Sequence, residues 1–231
     1  MKKRILSVIL TLTLCMGLSA PALAARTFTD VPSTYWAYDA IQYVVDEGLF
    51  SGTTGSTFTP GGTMTRAMLW VVLARMDGVD TSAASGEAWY QAGLDWAVEA
   101  GISDGTTPNG SITRAQFAAM LYRYAEYAGV DTAADTTELN KFADTGSIPS
   151  YAIEPLAWAV GSGIVSGTSA TTISPSGSAT RAQVATMLMR YAQAFGDGQT
   201  TDPGETVPEQ PSSEYTLRLS AMSSTLEVGK S

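Results

Sequence analysis

Thr65-Arg66-Ala67-Met68-Leu69-Trp70-Val71-Val72-Leu73-Ala74-Arg75 is one of three versions of a single segment. The others are Thr113-Arg114-Ala115-Gln116-Phe117-Ala118-Ala119-Met120-Leu121-Tyr122-Arg123 and Thr180-Arg181-Ala182-Gln183-Val184-Ala185-Thr186-Met187-Leu188-Met189-Arg190. Each follows a Gly-rich turn, opens an apolar helix and carries a second arginine nine residues after the first. Internal repetition fixes an architecture and multiplies any site within it. One helical unit is therefore used three times, and one arginine recurs at a helix start in each.

Working outward, Gly48, Gly101 and Gly163 end the first helix of each unit. Twelve residues upstream stand Trp36, Trp89 and Tyr151; seven upstream, Ile41, Leu94 and Leu156; four downstream, Gly52, Gly105 and Gly167. The arginine follows the first glycine by 18 residues in units one and three and by 13 in unit two. Five residues are thus missing from a loop, which tolerates deletion, while the flanking helices keep their pattern. Aligned from the glycine, the missing stretch corresponds to Phe58-Thr59-Pro60 of unit one and Ile173-Ser174-Pro175 of unit three.

Ala40, Ile41, Val44 and Val45 form the stripe of an amphipathic helix over Asp39–Glu47, and Gly48 suits a left-handed cap. The second helices are apolar on most sides, which puts them at the centre of an assembly. The expectation is an all-α domain of pseudo-threefold symmetry, with three second helices packed together. Thr65, Thr113 and Thr180 read as N-caps. Gln116 and Gln183 complete capping boxes, whereas Met68 leaves unit one with the threonine half only. The arginine is then the first helical residue, beside free N–H groups and the positive end of the helix dipole. That placement is unfavourable for a cation and favourable for receiving an anion.

Residues 1–25 read as a signal peptide: Lys2, Lys3 and Arg4, an apolar run from Ile5 to Leu18, and Ala22-Leu23-Ala24 as the cleavage site. The units occupy 26–80, 81–133 and 134–196. A Pro/Gly/acidic linker follows over 197–213, then alternation over 214–231 that reads as the start of a β domain. Cleavage removes Cys15, the single cysteine, and leaves ten basic residues against 22 acidic, a net charge of −12. So acidic a chain does not hold nucleic acid through a general phosphate field, and no membrane insertion is expected after cleavage. With no histidine, the usual general base and the commonest metal ligand are absent. Gly-x-Ser-x-Gly, Walker and spaced-Cys motifs are also missing. A non-enzymatic protein without metal or cofactor is the reading.

The units resemble the S-layer homology module. The resemblance rests on Phe28-Thr29-Asp30 and Phe142-Ala143-Asp144, Trp36-Ala37, the Ala-Ile helix, Gly-x-x-x-Gly, Phe-x-Pro and Thr-Arg-Ala, and it spans residues 28–196. It implies a three-pronged helical spindle with grooves between prongs. It also implies a secreted protein held on the bacterial cell wall by secondary cell-wall polysaccharide, often pyruvylated. By resemblance, Arg66, Arg114 and Arg181 contact the anionic sugar. Unit two departs from the pattern, lacking the aromatic-Asp opening and Phe-x-Pro, so its groove is expected to be altered. The tail from Tyr215 resembles the start of a bacterial Ig-like group 2 domain.

A planar carboxylate suits a guanidinium, which offers two parallel hydrogen bonds, and helix-start N–H groups would add donors. Trp36, Trp89 and Tyr151 are either platforms for sugar rings or anchors between prongs. Asp30 and Asp144 either cap a helix or touch sugar, and Gly52, Gly105 and Gly167 are turn residues first. Tyr43, Trp96 and Trp158 read as core, and Arg75, Arg123 and Arg190 as structural cations near helix ends. Two rivals stand beside the anchor: part of a larger exported glycan hydrolase, and a self-associating surface or adhesin component.

Overall fold

Each second helix begins on the threonine that the sequence assigns as its cap. In the computed structural model, which describes residues 27–196, the Thr65, Thr113 and Thr180 side chains accept from the N–H of Met68, Gln116 and Gln183. Gln116 and Gln183 reach back to the cap backbone and Met68 does not, as its side chain dictates. The signal peptide, the linker and the β segment lie outside the described residues.

Among the described residues there are six α-helices: α1 (Tyr38–Asp46), α2 (Arg66–Met76), α3 (Gln91–Glu99), α4 (Arg114–Tyr127), α5 (Ile153–Gly161) and α6 (Arg181–Phe195). Short 3-10 turns at Thr136–Lys141, Thr145–Ser147 and Ser150–Ala152 precede α5. Gly48, Gly101 and Gly163 end the first helices at φ of +69°, +70° and +72°, where a Cβ would be strained.

The helices pair across units. α3 packs on α2, α5 on α4, and α1, from the start of the chain, closes the ring on α6. The second helices were expected to pack chiefly on one another. Instead each takes its main partner from the next unit, and the three meet through the short segments that precede them. There Met64 N–H donates to Ala179 O, Ala179 N–H to Ile112 O, and Ile112 N–H to Met64 O. That cyclic triangle marks the pseudo-threefold centre. Among the described residues its bridges are the only β pairing.

Trp70, Phe58, Phe117, Ile41 and Leu156 are fully buried around this hub, each worth about 1.5–3 kcal/mol relative to exposure. The repeat position expected to be core behaves unevenly. Trp158 is buried and stacked on Phe195. Trp96 is half-buried and donates to Asp77, and Tyr43 is half-buried with its hydroxyl pKa pushed up to about 12 by burial and Glu47.

The five-residue deletion falls elsewhere than the count from the glycine implied. Thr59, Thr107 and Ser174 all have positive φ and all precede a proline. Pro60, Pro108 and Pro175 each accept from the alanine N–H of a Thr-Arg-Ala segment. Thr106-Thr107-Pro108 therefore stands where Phe58-Thr59-Pro60 stands, and unit two lacks the turn equivalent to residues 53–57.

Candidate functional site

The three leading arginines reach out of their own unit into the loop of the next. Arg114 Nε donates to Ile173 O (2.8 Å) and its Nη2 to Ser166 O (2.6 Å). Arg181 Nε donates to Phe58 O (2.8 Å) and its Nη2 to Ser51 O (2.7 Å), closing the ring. Arg181 also lies over Phe58 and Phe50, at 4.3 and 5.2 Å from the ring centroids. Arg66 Nε donates to Thr106 O (2.8 Å), but its Nη2 meets Ser103 Oγ (3.2 Å) and the Asp104 carboxylate (2.5 Å).

Arg114 and Arg181 are 5% and 8% exposed and have no acid within ion-pair distance among the described residues. Burial lowers both guanidinium pKa values, with Asp144 and Asp30 pulling the other way from a distance. Two buried cations whose hydrogen bonds go only to carbonyls, one of them also over two aromatic rings, retain unmet demand for a counter-charge. Arg66 has that demand met by Asp104.

The Asp30 and Asp144 side chains cap no helix. Asp30 accepts from Phe58 and Thr59 N–H (2.9 and 2.7 Å), and Asp144 from Ile173 and Ser174 N–H (2.9 and 2.8 Å). Burial alone would raise these carboxyls, but the paired N–H donors and the nearby arginine outweigh it and hold both below the usual value. They brace the left-handed turn on which the arginine rests.

The helix-start donors are likewise committed. Arg66, Arg114 and Arg181 N–H donate to Gly110, Gly177 and Gly62 O, and the next alanine N–H groups to the prolines. Those donors were expected to serve a ligand; instead they weld unit to unit.

Two open grooves are built on one plan. The first, of about 200 Å³, is lined by Trp36, Arg114, Ser166, Gln183, Met187 and Arg190, with Gly167, Thr168 and Thr186 alongside. The second, of about 290 Å³, has Tyr151, Arg66, Asp104, Gln116, Met120 and Arg123 at the same repeat positions, with Ala119 alongside. Each groove takes its aromatic from one unit, its clamp arginine from the next and its wall from the third. Repeat positions assign Trp89, Arg181, Ser51, Met68 and Arg75 to the third place. Trp36, Trp89 and Tyr151 are 63%, 51% and 50% exposed, so these rings stand in the open rather than inside the core.

Arg123 and Arg190 are wall residues of the grooves as well as structural cations. Each donates, as Arg75 does, to the carbonyl just after its unit's first glycine: Leu49, Ile102 or Ile164. Their nine-residue recurrence was visible in the sequence, but which way they face depends on the pairing between units. Gln116 and Gln183 serve twice, as capping partners and groove wall. At Gly52 a Cβ would sit 2.7 Å from the Phe28 ring and 2.8 Å from Thr57 O, so this glycine serves the turn. Gly167 serves the turn and also lines the first groove, and Gly105 sits at φ +71°.

Among the described residues no group of three or more His, Cys, Asp or Glu is placed to hold a metal, and no helix is long and apolar enough to cross a membrane. The fold and grooves define a class: a ring of three helical repeats whose interfaces carry guanidiniums beside exposed aromatics. The chain matches the S-layer homology domain at residues 27–67, 83–118 and 141–185, and it belongs to that family. It is similar to an S-layer protein of Bacillus thuringiensis subsp. finitimus, 29% identical over 206 residues, 84% of this chain and 25% of that protein. An endoglucanase of Bacillus sp. (strain KSM-635) is 30% identical over 213 residues, 82% of this chain and 22% of the enzyme. An amylopullulanase of Thermoanaerobacterium thermosulfurigenes is 30% identical over 187 residues, 74% of this chain and 10% of the enzyme. The chain thus spans a quarter or less of each. Family membership makes these repeats a cell-surface anchoring module of an exported protein at the cell wall.

Proposed function

We propose that the module holds its protein on the wall, without catalysis, by binding an anionic secondary cell-wall polysaccharide in the inter-unit grooves, with a pyruvate ketal as the charged group. The observation that carries this reading is Arg114. Its guanidinium is buried without an acid at the floor of a groove whose rim is the exposed Trp36 and whose wall holds Arg190. A sugar carboxylate supplies the missing charge, and an apolar sugar face lies against the indole. Single sites of modest strength become firm attachment when several engage one repeating polymer. Arg66, Arg114 and Arg181 are thus clamps between units, and the guanidinium edge left to a groove is the ligand contact.

The test is retention on purified wall polysaccharide. Trp36→Ala removes an exposed ring and leaves the fold alone, so its retention falls while its circular dichroism and melting match the parent. Equal retention of folded Trp36→Ala and Arg190→Ala proteins would refute the reading. A second reading, that this is the anchoring part of a larger exported glycan hydrolase, draws support from the endoglucanase and amylopullulanase relatives. Reading the gene past the codon for Ser231 tests it.

A further inference from the structure

The two grooves differ at one position that decides their charge. Three residues after the glycine that ends the first helix stand Ser51, Asp104 and Ser166. Where it is serine, its backbone carbonyl receives the arginine's Nη2. Where it is Asp104, the side chain does so, with Oδ1 2.5 Å from Arg66 Nη2 and 3.1 Å from Thr106 N–H. The Arg66 side chain is 13% exposed and that of Asp104 is 65% exposed. The carboxylate therefore stands at the mouth of the groove, not beneath it. Among the lining residues, the first groove presents Arg114 and Arg190 with no acid. The second presents Arg66 and Arg123 with Asp104 paired to Arg66.

We infer that Asp104 is a built-in counter-anion that weakens binding of anionic sugars at the Arg66–Tyr151 groove, so the module grips an acidic polymer at the Arg114 groove in preference to this one. This inference rests on the proposed function and names which of its grooves is the weaker. An incoming carboxylate meets a guanidinium already engaged, and a like charge stands beside it. Water screens an exposed carboxylate, so the exclusion is a matter of degree, roughly tenfold in affinity. The Thr106 N–H and Arg66 hold the Asp104 carboxyl below the usual carboxylate range, so it carries its charge at neutral pH.

The experiment is an NMR titration of the chain with an N-acetylhexosamine carrying a 4,6-pyruvate ketal. Backbone signals of Thr186 and Arg190 report the first groove, and those of Ala119 and Arg123 the second. In the parent the first pair shifts and saturates at concentrations about tenfold below those that move the second. Asp104→Ser installs the residue of the other two units and brings the second pair to within about threefold of the first. Asp104→Asn, which keeps the shape, does the same if serine disturbs the turn. Equal affinity at both grooves in the parent overturns the inference. So does an unresponsive second groove in both variants while the first still titrates. If neither groove responds in the parent, the proposed function itself falls, and this inference with it.

Discussion

Unit two and its neighbours solve one problem with different parts. In units one and three a left-handed residue before proline is braced by a carboxylate 28 to 30 residues upstream, Asp30 on Phe58 and Thr59, Asp144 on Ile173 and Ser174. The same arm pairs with the turn after the glycine, through Thr29 N–H to Ser56 O and Ala143 N–H to Thr171 O. Unit two has neither the arm nor the turn. They are absent together because each is the other's hydrogen-bonding partner. Asp104 takes over part of the task from within the shortened loop, holding Thr106 N–H and Arg66. The difference teaches that the deletion is a coordinated replacement, and that it converts a cation held by carbonyls into an ion pair.

The sharpest way to break that comparison is to remove the clamps. Arg114→Ala and Arg181→Ala leave buried carbonyls unpaired and should each cost about 3 kcal/mol. Arg66→Ala, with an exposed acid partner, should cost about 1 kcal/mol. Chemical denaturation measures all three, and equal losses would erase the distinction between units. Gly93→Ala comes next. A Cβ there lies 2.9 Å from Val71 N and Cα, so overpacking α3 against α2 should cost about 2 kcal/mol despite better helix propensity. The equivalent residue in unit one is already Ala40, buried without conflict.

Acid should act on all three units. Backbone N–H donors and a nearby arginine hold the Asp30, Asp104 and Asp144 carboxyls below the ordinary aspartate range. A depressed carboxyl adds stability that is fully present above its unfolded pKa and lost as pH falls through the folded one. Stability should therefore hold from neutral pH to about pH 4 and fall below it. A melting series on Asp30→Asn and Asp144→Asn should show a shallower acid fall than the parent. The smallest effects lie at the caps. Thr113→Ala should cost about 1 kcal/mol, and Met68→Gln should return about 0.5 kcal/mol by completing the box that unit one lacks.

Much of this was legible because it is local. The caps Thr65, Thr113 and Thr180, the contrast of Met68 with Gln116 and Gln183, and the left-handed glycines each follow from a few neighbouring residues. Assembly was harder to read. Helical periodicity marks an apolar face but not its partner, so the pairing of α1 with α6 across the whole ring could not be had from Ile41 and Leu188 alone. The site suffered the same way. Arg114 stood out by repetition, yet its partners at Ser166 and Ile173 lie 52 and 59 residues away, and no spacing rule connects them. Pro108 was mistaken for an absence because counting began at the glycine rather than at the arginine, the end that the hydrogen bonds hold fixed.

The account comes down to whether wall glycan is held by its charge at a guanidinium with no acid of its own. Binding of the chain to purified wall polysaccharide, measured by calorimetry before and after mild acid removal of pyruvate ketals, addresses that directly. The account predicts a loss of at least tenfold in affinity on ketal removal, about 1.4 kcal/mol, with the residual binding insensitive to Arg190→Ala. Unchanged affinity for the stripped polymer would contradict it.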